Sequence, residues 1–196
     1  MTLARPSEPS SGRPERAGHD DTRDQLLVRR IAQRDRQALE ELYHLYHRRL
    51  ARFLTRVTTR YELAEEIIND TLWVVWQGAA EFRGGSQVST WIVGIAYRRA
   101  LATMRHVSVR PFLASDFDES ATEDPATGVE LRQLLDRALA TLPTEQRLVL
   151  ELTYFLGHSC EEIAAITDAP VNTVKTRMFH ARRKLRELLP SLSGLS

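Results

Sequence analysis

The sequence predicts an all-α protein of two small helical domains, a four-helix unit and a helix-turn-helix unit, joined by a flexible acidic linker. Three observations predict it. Apolar residues recur at three- and four-residue steps in both halves, and strand-like alternation is weak throughout. Near the C-terminus, Ser159 and Glu162 make an S-x-x-E capping box, followed by a short helix, a break and a long basic helix. Charge also changes sign along the chain: residues 23–106 carry a net +5, 107–128 a net −4, 130–169 a net −4 and 170–189 a net +5. The formal total of +1 therefore conceals two local polyanion-binding surfaces.

The elements follow in order. Residues 1–22 are rich in Ser, Pro, Arg and Glu and read as a disordered tail. A first domain spans residues 23–106. Its first helix runs from about Thr22 to Gln33, with Leu26, Leu27 and Ile31 inward. The second runs from about Gln37 to Thr58, with Leu39, Leu42, Tyr46, Leu50, Phe53 and Val57 as its stripe. The third covers Glu62 to about Gly78, where Ile67, Ile68, Leu72, Val75 and Trp76 are candidates for burial. A loop from Glu81 to Ser89 precedes the fourth, from Thr90 to about Met104.

Residues 107–128 contain Pro111, Pro125 and five acids against Arg110, without helical periodicity; they read as the linker. The second domain spans residues 129–190, and 191–196 form a tail. Its capped helix runs from Cys160 to Thr167, with Ile163, Ala164 and Ile166 inward. Asp168, Ala169 and Pro170 break it, and a long helix follows from Val171 to about Leu189. There Val174, Met178, Ala181, Leu185 and Leu188 form an apolar seam.

Lys175, Thr176, Phe179 and His180 share another face of that helix, a mixture suited to base edges and thymine methyls. Arg177, Arg182, Arg183 and Lys184 surround it and suit phosphates. The alternative is an ordinary solvated basic face, which would not need the capped helix and turn before it. The loop before the fourth helix is a second candidate. Its paired glycines, Gly84 and Gly85, let a ligand approach the backbone, and Phe82 and Trp91 offer stacking surfaces among Arg83, Arg98 and Arg99. Either ring could instead serve the core.

One cysteine, Cys160, excludes an internal disulfide and any multi-cysteine metal site and fits a reducing cytoplasm. The longest apolar run, Trp91 to Tyr97, is too short to span a bilayer. His44 and His47 are an i,i+3 pair without an evident third ligand. No catalytic constellation is recognisable, so neither metal, cofactor, small-molecule substrate nor enzyme activity is expected.

Two motif sets carry a resemblance. Ala64-Glu65-Glu66-Ile67-Ile68-Asn69-Asp70-Thr71, Trp76, Phe82-Arg83-Gly84 and Thr90-Trp91-Ile92 with Ile95-Ala96 resemble the region-2 domain of an extracytoplasmic-function sigma factor. Leu142-Pro143-Thr144-Glu145-Gln146-Arg147, Glu161-Glu162-Ile163-Ala164 and Thr173-Val174-Lys175-Thr176-Arg177 resemble its region-4 domain.

The resemblance implies a cytoplasmic transcription factor that binds core RNA polymerase, through its clamp helices and flap, and directs it to promoter DNA. Glu65, Glu66, Asn69 and Asp70 would dock on the polymerase. Phe82, Arg83, Gly84, Ser86, Trp91, Arg98 and Arg99 would capture and melt the −10 element. Asn172, Thr173, Lys175, Thr176, Arg177, Phe179, His180 and Arg183 would read the −35 element. An anti-sigma factor is an expected partner. Arg98 stands where many members carry Asn. Pro170 replaces the usual capping Ser, so that helix start is expected to be held by packing. The rival readings are a two-domain helix-turn-helix regulator of duplex operator DNA and a structural helical adaptor.

Overall fold

The computed structural model describes residues 21–58, 60–107, 134–135 and 137–192. It contains α1 (Asp21–Ala32), α2 (Arg36–Thr58), α3 (Tyr61–Gly78), a 3-10 turn (Ala79–Glu81) and α4 (Val88–Val107). A helical piece at residues 137–140 follows, then α5 (Thr144–Tyr154), α6 (Cys160–Thr167) and α7 (Val171–Leu192). No strand occurs among the described residues. The predicted linker, apart from residue 107, lies outside them, as do residues 1–20 of the N-terminal tail and 193–196 of the C-terminal one.

Local chemistry sets the element ends. Asp21 and Asp24 sit in the first turn of α1 and Arg29 and Arg30 in its last, each complementing the helix dipole. Arg34 turns the chain with a left-handed φ of 66°. Asp35 then caps α2 by accepting from the backbone amides of Gln37 (2.9 Å) and Ala38 (3.3 Å). The backbone N–H of Val88 donates to Asp21 Oδ1 at 2.9 Å, so α4 begins two residues before its predicted start, on a cap supplied by α1.

The stripe Leu42, Tyr46, Leu50, Phe53 and Val57 of α2 is buried against α3, as its period requires. The Tyr46 hydroxyl donates to Asp24, tying α2 to α1 inside the core. Leu26, expected inward, is 54% exposed; the inner face of α1 is made by Leu27, Val28 and Ile31 instead. In the C-terminal unit Ile163, Ala164 and Ile166 of α6 pack with Val174, Met178 and Ala181 of α7. Leu185 and Leu188, predicted to extend that seam, are only half-buried.

The two helical units touch. Helix α4 packs on α6, and the Thr90 hydroxyl donates to Glu162 Oε1 at 3.2 Å. One guanidinium nitrogen of Arg56 donates to both carboxylate oxygens of Glu151, at 2.8 and 2.9 Å. Arg49 donates to the carbonyl of Leu156 at 2.9 Å. The Phe155 ring lies beneath Arg52 and Arg56, at 5.0 and 4.2 Å.

Candidate nucleic-acid interface

The helix-turn-helix is closed by chemistry visible in the chain. Glu162 N–H donates to Ser159 Oγ at 3.2 Å, and Ser159 N–H donates to Glu162 Oε2 at 2.7 Å, completing the capping box. Asp168, at φ 53° and ψ 43°, ends α6 in the left-handed region. Pro170 presents its carbonyl to the amides of Thr173 (2.9 Å) and Val174 (3.1 Å), starting α7 without a side-chain cap. The half-buried Ala169 and Val171 on either side pack on the core, which holds this start in place.

On α7, Lys175, Thr176, Phe179 and Arg183 are exposed, and His180 is half-exposed. Phe179 stands 61% exposed, far more than packing alone would leave an aromatic ring. His180 sits edge-on to it at 5.5 Å, and the Arg183 guanidinium lies 5.9 Å from its centre. Two cations are held by acids of the same unit: Lys175 by Glu161 at 3.1 Å and Arg177 by Glu145 at 2.5 Å. The Thr176 hydroxyl donates to the carbonyl of Asn172 at 2.9 Å, leaving its lone pairs outward.

Asn172, Thr173, Thr176, Arg177 and His180 line a cleft of about 300 Å3 together with Gln146 from α5. Gln146 was not singled out from the sequence as a site residue. Its Oε1 is buried without a hydrogen-bond partner among the described residues, and the cleft thus draws its lining from α5 as well as α7. Its only sequence signal is its place in the Leu142–Arg147 stretch that carries the resemblance.

The aromatic loop has a different construction. Phe82 and Trp91 are both half-buried and lean on each other, with centroids 4.8 Å apart and planes at 31°. Neither is a fully exposed plate; they form one aromatic pair at the loop's root. Gly84 adopts φ 71°, which a side chain would strain. Arg83 and Gly84 are exposed, and the half-exposed Ser86 donates its hydroxyl to the Gln87 carbonyl at 3.3 Å. Arg98 lies on the Trp91 face of α4, folded over Gly94, with Arg99 exposed beside it.

The predicted polymerase face is divided. Glu66, Asn69 and Asp70 are exposed on α3. Glu65 turns aside, its two oxygens each 3.0 Å from His47 Nε2, so the histidine once weighed as a metal ligand has a carboxylate partner. Beside Asn69 a cleft of about 540 Å3 opens between α2 and α3, lined by Leu39, Tyr43, Leu72, Trp73 and Trp76. Trp73 is 61% exposed. The sequence reading missed it, although Glu62, Glu66, Asn69 and Trp73 follow one another at steps of four, three and four on a single face.

Comparison with known proteins assigns the family. Residues 42–108 match the model of Sigma-70 region 2, and residues 132–185 match Sigma-70, region 4. The chain is 30% identical over 177 residues to the ECF RNA polymerase sigma-E factor of Escherichia coli (strain K12), covering 83% of this chain and 92% of the relative. It is 31% identical over 176 residues to the ECF RNA polymerase sigma factor SigM of Mycobacterium tuberculosis, covering 89% and 88%. Among solved structures it resembles the sigma factor RpoE of Bartonella quintana in complex with the anti-sigma factor NepR. That likeness has a TM-score of 0.61 at 25% identity and covers 76% of this chain and 95% of that one. No helix among the described residues is long and apolar enough to cross a membrane. The chain belongs to the ECF sigma factors of RNA polymerase.

Proposed function

We propose that this sigma factor divides promoter recognition between two chemically different surfaces and acts as a polymerase subunit rather than as an enzyme. Residues 23–106 form the unit that docks on polymerase and handles the −10 element; residues 129–190 form the unit that reads the −35 element. Helix α7 enters duplex DNA with Lys175, Thr176, Phe179 and His180 toward base edges, while Asn172, Thr173, Arg177 and Arg183 serve phosphates. Glycine-rich backbone, the Phe82–Trp91 pair and the arginines 83, 98 and 99 hold unstacked bases of the opened strand. Trp73 and the α2–α3 cleft, edged by Glu66, Asn69 and Asp70, receive the polymerase clamp helices.

The observation that carries this reading is the presence in one chain of a basic helix-turn-helix and an arginine-flanked aromatic pair. A regulator of duplex operators would need the first but not the second. Thr90, next to Trp91, is 4% exposed because α6 covers it. On this reading the two units part when both DNA elements are engaged. An anti-sigma factor would act by keeping them together or by covering the same faces.

The test is Trp91→Ala, with helicity and melting temperature checked first. Closed-complex binding should stay within about twofold, and open-complex formation should fall roughly tenfold, the loss of one stacking contact. Equal loss at both stages would remove the melting role.

A further inference from the structure

We propose that the cleft at the seam between the two helical units binds a small phosphate-bearing anion, which then holds the units together. The second effect rests on the reading that the units part when promoter DNA is engaged; the binding itself does not. The cleft has a volume of about 250 Å3. Arg48, Arg49, Arg52 and Phe53 line it from α2, and Glu151, Phe155 and Leu156 from the end of α5. Neither unit makes it alone. Its volume suits a compact anion rather than a peptide or a duplex.

The charge of the lining is one-sided. Three arginines face the cleft with a single acid, Glu151. That acid already accepts from Arg56 at 2.8 and 2.9 Å, and Arg147 Nε lies 3.9 Å from it. The one negative charge of the lining is therefore shared with two further arginines. Arg48, Arg52 and Arg56 also stand at i, i+4 and i+8 on α2, where like charges repel. An anion in the cleft offsets that repulsion, and in a partly enclosed site salt screens it little.

The groups that would hold a phosphate are in place. Arg48 is exposed and forms no hydrogen bond or ion pair among the described residues, so its guanidinium can fork onto two oxygens. Arg49 donates to the carbonyl of Leu156 at 2.9 Å, so that oxygen does not face an anion bare. The Arg52 guanidinium lies 5.0 Å from the centre of the Phe155 ring, which orients it. The end of α5 thus positions two of the three arginines. Opening the seam releases both, so the complete site exists only while the units are together. A ligand that binds one arrangement alone shifts the population toward it.

The experiment titrates inorganic pyrophosphate into the complete chain by calorimetry, with ionic strength held constant by chloride. One pyrophosphate per chain should bind. Arg48→Ala should weaken it about tenfold, the loss of one charged hydrogen bond. Arg48 is exposed, so the fold should survive, and this is checked by melting. Arg186→Ala, exposed on the basic helix α7 and outside the lining, should leave the affinity within about twofold. Equal losses in the two variants, or no binding at matched ionic strength, would reduce the effect to general screening and refute the site. ATP should bind more weakly than pyrophosphate, because the cleft has no room for its nucleoside. Tighter binding of ATP would overturn the assignment to a compact anion.

Energy transfer between one dye on each unit separates the site from the reading beneath it. Transfer should fall when the chain, bound to core polymerase, engages promoter DNA. Pyrophosphate should oppose that fall in the wild type and not in Arg48→Ala. If transfer falls and pyrophosphate leaves it unchanged, the holding role is refuted. If transfer never falls, the parting of the units is refuted, while the titration alone decides the site.

Discussion

Arg56 of α2 and Glu151 of α5 form an ion pair that joins the two helical units, with Glu151 only 2% exposed and Arg56 only 10%. One guanidinium nitrogen serves both carboxylate oxygens, and the guanidinium also covers Phe155. Burying two charges is costly unless each satisfies the other, and removing one partner strands its mate. Arg56→Met is therefore expected to lower stability to urea by about 3 kcal/mol. It should also raise the radius of gyration of the free protein in small-angle scattering. Adding Glu151→Leu should recover only part of the stability, because the buried Arg147, whose Nε lies 3.9 Å from Glu151, then loses its acid. A single variant as stable and compact as the wild type would show that this pair does not hold the units together.

His158 supplies a pH dependence of known sign. Burial pushes its imidazole down to about 4, with Glu162 4.0 Å away only partly opposing the shift. The folded protein thus keeps His158 neutral, while the unfolded chain takes up a proton near pH 6.5. Between these values the unfolded state binds more protons, so stability is complete above about pH 6.5 and falls as pH drops toward 4. The loss is on the order of 3 kcal/mol at most. Urea unfolding at pH 7.5, 6.5 and 5.5 should show a steeper decline for the wild type than for His158→Leu. Parallel declines would mean that other groups carry the dependence.

Trp73 should govern docking on polymerase. A ring 61% exposed beside a 540 Å3 apolar cleft gives a partner helix a place to bury surface. Trp73→Ala should weaken binding to core polymerase at least tenfold, about 1.4 kcal/mol, with little effect on the melting temperature. Glu65→Gln should change binding much less, because that carboxylate already faces His47. Binding unaffected by Trp73→Ala would move the docking surface elsewhere.

Sequence choice should reside on one face of α7. His180→Ala is expected to weaken some −35 variants by about 1–3 kcal/mol and to leave others almost unchanged. Arg183→Ala should weaken all of them alike and flatten the salt dependence. Gln146→Ala should behave like His180→Ala, since both line the same cleft. Uniform loss in all three variants would assign the whole face to phosphates.

What could be read from the chain was local. The capping box, the Cys160–Thr167 helix and the buried Val174, Met178 and Ala181 follow from spacing and end chemistry, and all are present. Leu26 misled because a leucine at an inward-looking step can still face solvent when Val28 fills the inner position. Trp73 falls outside the apolar stripe Ile67, Ile68, Leu72, Val75 and Trp76, and only the fold reveals an uncovered ring beside an apolar cleft. The Arg56–Glu151 pair spans 95 positions and has no local signature. Gln25 and Arg29 look like any solvated helix face until the Phe82 loop is brought beside them.

The central claim is that the chain gives core polymerase the ability to find and open a promoter. The direct measurement is transcription in vitro by purified core polymerase with and without the chain, on DNA fragments covering the genome of its source. The account predicts start sites that appear only with the chain, share −10 and −35 sequences, and vanish with Trp73→Ala or Phe82→Ala. Tight, polymerase-independent binding to duplex DNA with no new start sites would contradict it.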